Sequence, residues 1–339
     1  MRFSRRLVAG VGVLVVVLTV ALVLLRNQAR CGGFSGPGVS SEELPPPVRP
    51  GEMRIGNWNI RNFPLDRRPQ EKDLGFSRRT NICDLEDVLR GLDADVLGVE
   101  EITDTREFPL TVQRAGDDRR YEMEFSSHGG GHGQSVGLIW DRDRVELVGE
   151  PIDISSVAVN SRLRPGLAGH FRSLIDPTLD FTIVQVHLAA TPKGASSRRR
   201  QFRALAEWVE QHVATTGDPD VIVQGDFNTT GWEGGTTEQE LHKLDSIFSR
   251  VGLRRLRNAS GCTEYWEGPG GRDGVQVPSL LDLVYVGGLD DRAPSAPISW
   301  LHCSRMECQD LVSIAGNEDG TFWDVSDHCP VTFELSLGQ

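Results

Sequence analysis

The segment VIVQGDFNTT, residues 221–230, decides the fold class because it joins a buried strand to two polar side chains. Its beginning is a short apolar run, typical of a strand that is covered on both faces. The chain then breaks at Gly225, and Asp226 and Asn228 follow with one residue between them. Side chains two residues apart on an extended chain point to the same side, and a glycine lets the backbone approach a neighbour closely. We therefore expect Asp226 and Asn228 to face one site at the end of this strand.

Similar strand-like runs recur along the chain and alternate with helical patterns. Helices are predicted over residues 81–92, 198–216 and 238–253, because apolar residues recur there at helical spacing. The strands between them are apolar on both faces, which suits sheets buried between other layers. The pattern therefore predicts a layered α/β sandwich. The predicted strands lie within residues 53–60, 94–102, 135–150, 180–189, 219–228, 279–288 and 329–337.

The first fifty residues differ from the rest of the chain. Leu7 to Leu25 is a run of 19 residues without a charge, preceded by three arginines, and roughly 20 apolar residues span a bilayer as a helix. We predict a signal-anchor within residues 1–30, with the rest exported and held at the cell membrane. A cleaved signal peptide, which would release a secreted protein, is the alternative. Residues 31–52 are rich in Gly and Pro and are predicted to form a linker, with one folded domain over residues 53–339.

The predicted domain is acidic. The first fifty residues carry six basic and two acidic side chains, which leaves 30 basic and 46 acidic residues, a net charge of −16, for the remainder. Such a domain has no global attraction for nucleic acid or anionic lipid. The balance does not exclude DNA as a partner, because local basic groups dominate contacts at short range.

The six cysteines favour disulfide bonds in an exported protein. A local bridge between Cys303 and Cys308 is the first expectation, and Cys262 is a competing partner. The sequence does not determine the pairing.

Polar side chains collect where the predicted strands end. Taken singly, each is more often a turn residue, a helix cap or a hydrogen-bonded core histidine. Taken together, several carboxylates at one rim repel one another unless a cation compensates them. Oxygen donors of this kind suit Mg²⁺, with Mn²⁺ or Ca²⁺ as alternatives, and the histidines suit proton transfer and phosphate contact. The residues are Asn59, Glu101, His187, Asp226, Asn228, Asp282, Asp327 and His328.

Six ordered motifs carry a resemblance to a known family. The chain resembles the endonuclease/exonuclease/phosphatase superfamily over roughly residues 53–337, and its first motif and spacing are most similar to deoxyribonuclease I. One motif alone is a weak signal, whereas six in this order are a strong one. The resemblance implies a four-layered α/β/β/α sandwich of two mixed sheets flanked by helices, with the site at one rim of the sheets. The motifs are GNWNIRNF, ADVLGVEEITD, VQVHLAA, GDFN, LLDLVYV and SDHCPV.

The resemblance also implies which residues hold the metal. Asn59 and Glu101 match its first metal-binding positions, and Glu101 is the principal ligand. Asp327 belongs to the same set. Glu100 ranks lower, because neighbouring side chains on a strand point in opposite directions.

The catalytic roles follow from the same resemblance. His187 matches a histidine that assists the leaving group, while Asp226 and Asn228 match the pair that orients the attacking water and holds the phosphate or metal. Asp282 matches the acid that hydrogen-bonds the last histidine. His328 is that histidine; it contacts the phosphate and serves as acid or base.

Some positions depart from the family pattern or have open roles. Gln134 lies about where the family has a carboxylate that supports the equivalent of His187. Arg164 is predicted to contact the substrate phosphate. Lys193 and residues 198–200 either bind a polyanion or are a solvated helix start.

These residues imply a monomeric, divalent-metal-dependent phosphodiester hydrolase. DNA is the first candidate substrate, and an endonuclease is the leading hypothesis. A sphingomyelinase-type lipid phosphodiesterase, for which a membrane anchor would be convenient, is the main alternative, followed by other phosphoesterases. A non-catalytic binding domain is a third possibility, against which the intact set of site residues argues.

Overall fold

Two β-sheets packed face to face form the centre of the structure, a computed structural model that describes residues 39–64, 79–268, 275–312 and 320–338. The strands of the described residues are, in chain order, β1 (Glu52–Phe63), β2 (Val96–Ile102), β3 (Tyr121–Phe125), β4 (Ser135–Asp141), β5 (Val145–Leu147), β6 (Ile152–Ile154), β7 (Gly166–Ser173), β8 (Asp180–His187), β9 (Val221–Asp226), β10 (Arg254–Leu256), β11 (Glu264–Trp266), β12 (Val275–Ser279), β13 (Asp282–Gly287), β14 (Ile298–Ser299), β15 (Leu311–Val312) and β16 (Val331–Ser336). The helices are α1 (Ile82–Leu92), α2 (Glu107–Ala115), α3 (Ala195–Thr216), α4 (Thr237–Phe248), α5 (His302–Arg305) and α6 (Gly320–Asp324).

Both central sheets mix parallel and antiparallel neighbours. The first has the strand order β14-β16-β1-β2-β4-β3, and the second has the order β10-β13-β9-β8-β7-β5 with β6 paired to β7. Strand β1 runs parallel to β2, and β8 runs parallel to β9. The carboxyl ends of these two parallel pairs lie where the candidate site is found. A smaller sheet, β11-β12-β15, stands beside them.

Three apolar layers hold the sheets and helices together. The inner faces of the two sheets share one cluster, in which Ile55 and Phe333 of the first sheet join Ile183 and Ile222 of the second. The outer face of the second sheet packs against α3 and α4, and that of the first packs against α1 and α2. This arrangement confirms the predicted α/β/β/α sandwich of two mixed sheets flanked by helices.

The predicted elements coincide with observed ones, but other elements were not predicted from the sequence. Helix α1 begins where Asn81 accepts hydrogen bonds from the amides of Cys83 and Asp84, as expected of an N-cap. Among the missed elements are α2 and β3, and also the β11–β12 ribbon, whose pairing joins segments with no regular alternation.

The linker prediction covers too much of the chain. In its described part, Leu44 packs on the apolar cluster beneath α1 and α2. The carbonyl oxygen of Pro46 accepts a 2.7 Å hydrogen bond from the buried Arg54 guanidinium. The compact unit therefore begins at Val39 rather than Met53, because these contacts anchor the preceding segment.

The predicted anchor, residues 1–30, and the first part of the predicted linker lie outside the described residues. No helix within the described ranges has the length and apolar character needed to span a bilayer.

The first expectation for the disulfides is wrong. Cys262 pairs with Cys308, and Cys303 pairs with Cys329. The fold decides this pairing, because the chain that follows His328 packs against α5 and brings Cys329 to the buried side of that short helix.

Candidate active site

Two neighbouring strands of the second sheet, β8 and β9, end at the level where the antiparallel strand β13 begins. The pairing register places His187 of β8 beside Asp226 of β9, and Asp226 beside Asp282 of β13. All three side chains are at least nine-tenths buried. The strand pairing alone therefore gathers an imidazole and two carboxylates that are distant in sequence.

The first sheet contributes Asn59 and Glu101 to the same rim. Asn59 pairs with Glu100 in the parallel β1–β2 ladder, and the register shifts directly afterwards. At this irregularity Glu101 has a positive φ of 60°, and such bulges re-aim side chains near active sites. The Glu101 carboxylate accepts a 3.0 Å hydrogen bond from the amide of Asn62 and lines the cleft.

Glu100 contributes to the site in a way that the sequence analysis did not foresee. Its side chain is fully buried between the sheets, where Oε1 accepts from Gln185 Nε2 at 2.6 Å and from the amide of Asp226 at 3.0 Å. Burial and the neighbouring carboxyl groups of Asp282 and Asp226 raise the pKa of Glu100 well above its ordinary value. From its position between the sheets, Glu100 thus fixes the end of β9 through the amide of Asp226.

Gly225 is required at the end of β9, as the sequence analysis expected. Its φ is +136°, and an added Cβ would lie 2.0 Å from the carbonyl oxygen of Val186 on β8. The strand pair therefore approaches more closely here than any side chain allows.

Asp226 and Asn228 do meet, but not because the chain stays extended. Strand β9 ends at Asp226, and Asn228 has a left-handed φ of 51°. The Asn228 amide and its Nδ2 both donate 2.8 Å hydrogen bonds to the Asp226 carboxylate. A tight Asx-type turn therefore brings the two side chains together.

His328 and Asp282 form a buried pair. The distance between His328 Nδ1 and Asp282 Oδ2 is 2.8 Å, and His328 Nε2 lies 4.0 Å from Asp226 Oδ2. Burial alone would lower the pKa of His328, but the carboxylates of Asp282, Asp226 and Asp327 together raise it well above its ordinary value. Asp282 thereby fixes the ring so that Nε2 faces the cleft.

His187 has the opposite electrostatic environment. Its Nε2 lies 3.6 Å from Glu101 Oε1 and 3.5 Å from Asp226 Oδ2. Burial, with the nearby Arg164 and His328, lowers the pKa of His187 well below its ordinary value. Its Nδ1 has no hydrogen-bond partner among the described residues.

The structure does not bring Arg164 to the cleft. Its guanidinium donates to the carbonyl oxygen of His187 at 3.3 Å and to Gln134 Oε1 at 3.0 Å. Gln134 in turn donates to Asn62 Oδ1 rather than to His187. Arg164 lies behind His187, because its donors are needed to satisfy buried acceptors there.

The predicted basic cluster is divided by the fold. Arg198 is fully buried and pairs with Glu240, with two N–O distances of 2.9 Å. Lys193 and Arg200 are exposed, and Arg199 is half-buried. Arg198 is therefore a structural residue and does not bind a polyanion.

The rim suits a divalent cation. Burial raises the pKa of Asp226 to about 7, with His328 opposing and Asp282 adding to the rise. Gathered carboxyl groups of this kind are stabilised by a cation, and their oxygens are the donors that Mg²⁺ or Mn²⁺ prefers. Glu101, with Asp327 in the same cleft, would hold such an ion.

Asn59 is placed differently from the prediction. Its Nδ2 donates to Glu101 Oε1 at 3.4 Å and to Asp226 Oδ2 at 3.2 Å, while its Oδ1 accepts from the amide of Arg61. In this arrangement Asn59 orients the two carboxylates, and its oxygen is not directed at the cation position.

The site opens into a cleft of about 650 Å³. Asp327 and His328 line it beside Glu101, and the β11–β12 ribbon forms the adjacent wall. Glu264 on this ribbon is buried, which raises the pKa of its carboxyl group to about 8; His328 opposes this rise and Asp327 adds to it. This wall was not predicted from the sequence, in which its signal is the short strand-like segment TEYW at residues 263–266.

The fold and the site define a class of protein, and comparison with known proteins agrees. The model of the Endonuclease/Exonuclease/phosphatase family matches residues 56–328. The chain therefore belongs to this family, whose members are hydrolases acting on phosphoester bonds.

Individual relatives share only low sequence identity with the chain. The chain is 28% identical over 280 residues to the uncharacterized protein YbhP of Escherichia coli K12, covering 77% of this chain and 91% of YbhP. An endonuclease/exonuclease/phosphatase family protein from Bacteroides thetaiotaomicron has a similar structure, with a TM-score of 0.55 and 16% identity over 86% of this chain and 100% of that one. Truncated TDP2 from Caenorhabditis elegans has a TM-score of 0.54 and 15% identity over 84% of this chain and 97% of its own.

Proposed function

We propose that the chain is a divalent-metal-dependent phosphodiesterase. The observation that carries this proposal is the convergence of Glu101 from the first sheet with His187, Asp226 and the Asp282–His328 pair from the second. An oxygen ligand, a base and a polar contact for phosphate thus lie at one rim, as metal-assisted hydrolysis requires.

The chain's own residues divide the chemistry between them. A bound divalent cation would neutralise the phosphate and stabilise the charge that develops on the leaving oxygen. Asp226, held by Asn228 and Asn59, accepts the proton of the attacking water. His328 contacts the phosphate through Nε2, because Asp282 occupies Nδ1. His187 hydrogen-bonds the leaving oxygen as a neutral ring and relies on Arg164 for its position.

DNA is the first substrate to test, because the motifs resemble deoxyribonuclease I most. The full-length protein is incubated with supercoiled plasmid and Mg²⁺, beside a reaction that contains a chelator. We expect nicking that requires the metal and is lost in Asp226→Asn. The chromogenic diester bis(p-nitrophenyl) phosphate, assayed in parallel, reports phosphodiesterase activity without regard to the natural substrate.

Two variants separate an enzyme from a binding domain. Glu101→Gln and His328→Ala remove a proposed metal ligand and the phosphate contact, and we expect each to abolish turnover of both substrates while the far-ultraviolet circular dichroism stays unchanged. Full turnover in both variants would refute the mechanism. Hydrolysis of the chromogenic diester without plasmid nicking would favour a lipid or small-molecule substrate, with sphingomyelin vesicles tested next.

We also propose that the domain is exported and anchored through residues 7–25. The support is the uncharged apolar run and the basic residues before it. Membrane fractionation of cells that express the full chain tests this proposal, since a cleaved segment would leave the protein in the soluble exported fraction.

A further inference from the structure

The β11–β12 ribbon presents a single face to the cleft. Glu264 and Trp266 are two residues apart on β11 and therefore share a face. The antiparallel register places Ser279 opposite Glu264 and Val277 opposite Trp266, and directly opposed side chains lie on the same side of a ribbon. All four residues line the cleft. This face of the ribbon thus consists of one polar pair and one apolar pair.

The polar pair lies next to the proposed catalytic centre. Glu264 forms an isolated β-bridge with His328. The two residues are therefore direct neighbours, and His328 is the proposed contact for the phosphate. Only 8% of Glu264 is exposed, and its Oε2 is buried without a hydrogen-bond partner among the described residues. Buried polar atoms are rarely left unpaired. The Ser279 side chain hydrogen-bonds the Glu264 carboxyl group, and a ligand hydroxyl group that reaches this pair would add a further hydrogen-bond partner.

The apolar pair lies further along the ribbon. Trp266 is 45% exposed, although tryptophan is highly buried on average. A flat aromatic face open to a cleft is a stacking platform for another ring. Val277, on the opposed strand, extends this apolar surface.

We propose that this ribbon face is a nucleoside subsite, in which Glu264 and Ser279 bind the sugar hydroxyls and Trp266 stacks on the base. The proposal rests on the proposed function, since the phosphate must lie against His328 and Asp226. Starting from His328, the wall offers first hydrogen-bonding groups and then an apolar platform, which is the order of sugar and base in a nucleotide. An acyl chain would offer no hydrogen-bonding group to the Glu264–Ser279 pair. The cleft volume of about 650 Å³ is in the range of small-ligand sites.

A series of inhibitors tests each part of the subsite. The full-length protein hydrolyses bis(p-nitrophenyl) phosphate in the presence of Mg²⁺, and inhibition constants are measured for inorganic phosphate, ribose 5-phosphate and adenosine 5′-monophosphate. We expect the constant to fall at each step, with the last step about tenfold, because stacking of one base on an aromatic side chain contributes an effect of this order. Absence of any hydrolysis refutes the proposed function, whereas equal inhibition by the last two compounds overturns the subsite alone.

Variants assign the two steps to the two pairs. Trp266→Ala is expected to bring the ratio between ribose 5-phosphate and adenosine 5′-monophosphate close to one, while Trp266→Phe retains most of it. Glu264→Gln is expected to reduce the ratio between phosphate and ribose 5-phosphate. Leu110→Ala, at an exposed apolar residue of α2, is the matched control and should leave both ratios unchanged.

Two further results decide the outcome. A ratio that survives Trp266→Ala in a protein with unchanged circular dichroism overturns the proposal, as does tighter inhibition by phosphocholine than by adenosine 5′-monophosphate. A 5′-phosphorylated ribotrinucleotide, whose first sugar keeps its 2′-hydroxyl group, identifies the source of the nucleoside. Inhibition equal to that of the mononucleotide indicates the end of a strand, weaker inhibition indicates a free nucleotide, and both results support the subsite.

Discussion

Replacing Arg198 by methionine should destabilise the protein strongly. The Arg198 guanidinium is fully buried on α3 and donates two hydrogen bonds to the Glu240 carboxylate of α4. It also donates to the carbonyl oxygens of Ala189, Thr191 and Gly231 at 2.6–2.7 Å. Arg198 thus ties together the two loops that follow β8 and β9, from which residues of the cleft arise.

The expected loss of unfolding free energy follows from the Glu240 charge that remains buried. Removing one partner of a buried ion pair costs about 3–5 kcal/mol, because the other charge stays buried without compensation. Natural domains have unfolding free energies of about 5–15 kcal/mol, so Arg198→Met should remove a large part of the total. Glu240 keeps one partner, the amide of Gly231 at 2.8 Å. The double variant Arg198→Met/Glu240→Gln should therefore recover about 1–2 kcal/mol, since no unpaired charge remains.

Urea unfolding, followed by circular dichroism, measures these differences as shifts in the transition midpoint at constant slope. The matched control is Arg200→Met, two residues along the same helix but exposed, which should change stability by less than about 0.5 kcal/mol. Equal effects of Arg198→Met and Arg200→Met, or a double variant that is less stable than Arg198→Met, would refute the reasoning.

Two further changes test the packing around the site. Gly225→Ala should cost about 2–5 kcal/mol of unfolding free energy, because the new Cβ meets the carbonyl oxygen of Val186 at 2.0 Å and the φ of +136° is strained for any other residue. Urea unfolding measures the loss, with Gly217→Ala at an exposed helix end as the comparison. An unchanged midpoint for Gly225→Ala would contradict the close approach of the two strands. His302 is fully buried, and burial lowers its pKa to about 3, so the unfolded chain gains a proton near pH 6.5 that the folded state excludes. Its contribution to stability is complete above pH 6.5 and falls as the pH drops, by about 1.5–2 kcal/mol between pH 6.5 and pH 5. His302→Gln should reduce the slope of unfolding free energy against pH in this range, and identical slopes in both proteins would show that His302 is not the responsible group.

The sequence was sufficient for the layers and for the members of the site, because both depend on local pattern. Alternating apolar strands and helices required a layered sandwich, and β9 ends at Asp226 as its sequence suggested. His187, Asp226 and Asp282 could be selected because each lies at one end of a strand. The need for a glycine at position 225 was also visible, since the chain breaks there.

The structural roles of individual residues were harder to predict from the sequence, because these roles depend on partners that are distant in the chain. Arg198 belongs to a basic run in the sequence, but Glu240, 42 residues later, makes it a buried structural residue. Arg164 carries the charge expected of a phosphate ligand, yet its contact with His187 places it behind the site. Asn228 meets Asp226 through a tight turn rather than along an extended strand.

The sequence by itself therefore determined the fold class, the acidic balance of the domain and the set of polar residues at the strand ends. Only the tertiary structure decided the disulfide pairing, the bulge that re-aims Glu101 and the ribbon that places Glu264 and Trp266 in the cleft. The physical reason is that strand register and sheet packing are interactions between distant segments. Hydrophobic periodicity specifies which face of a segment is buried, but it does not specify which neighbour buries it.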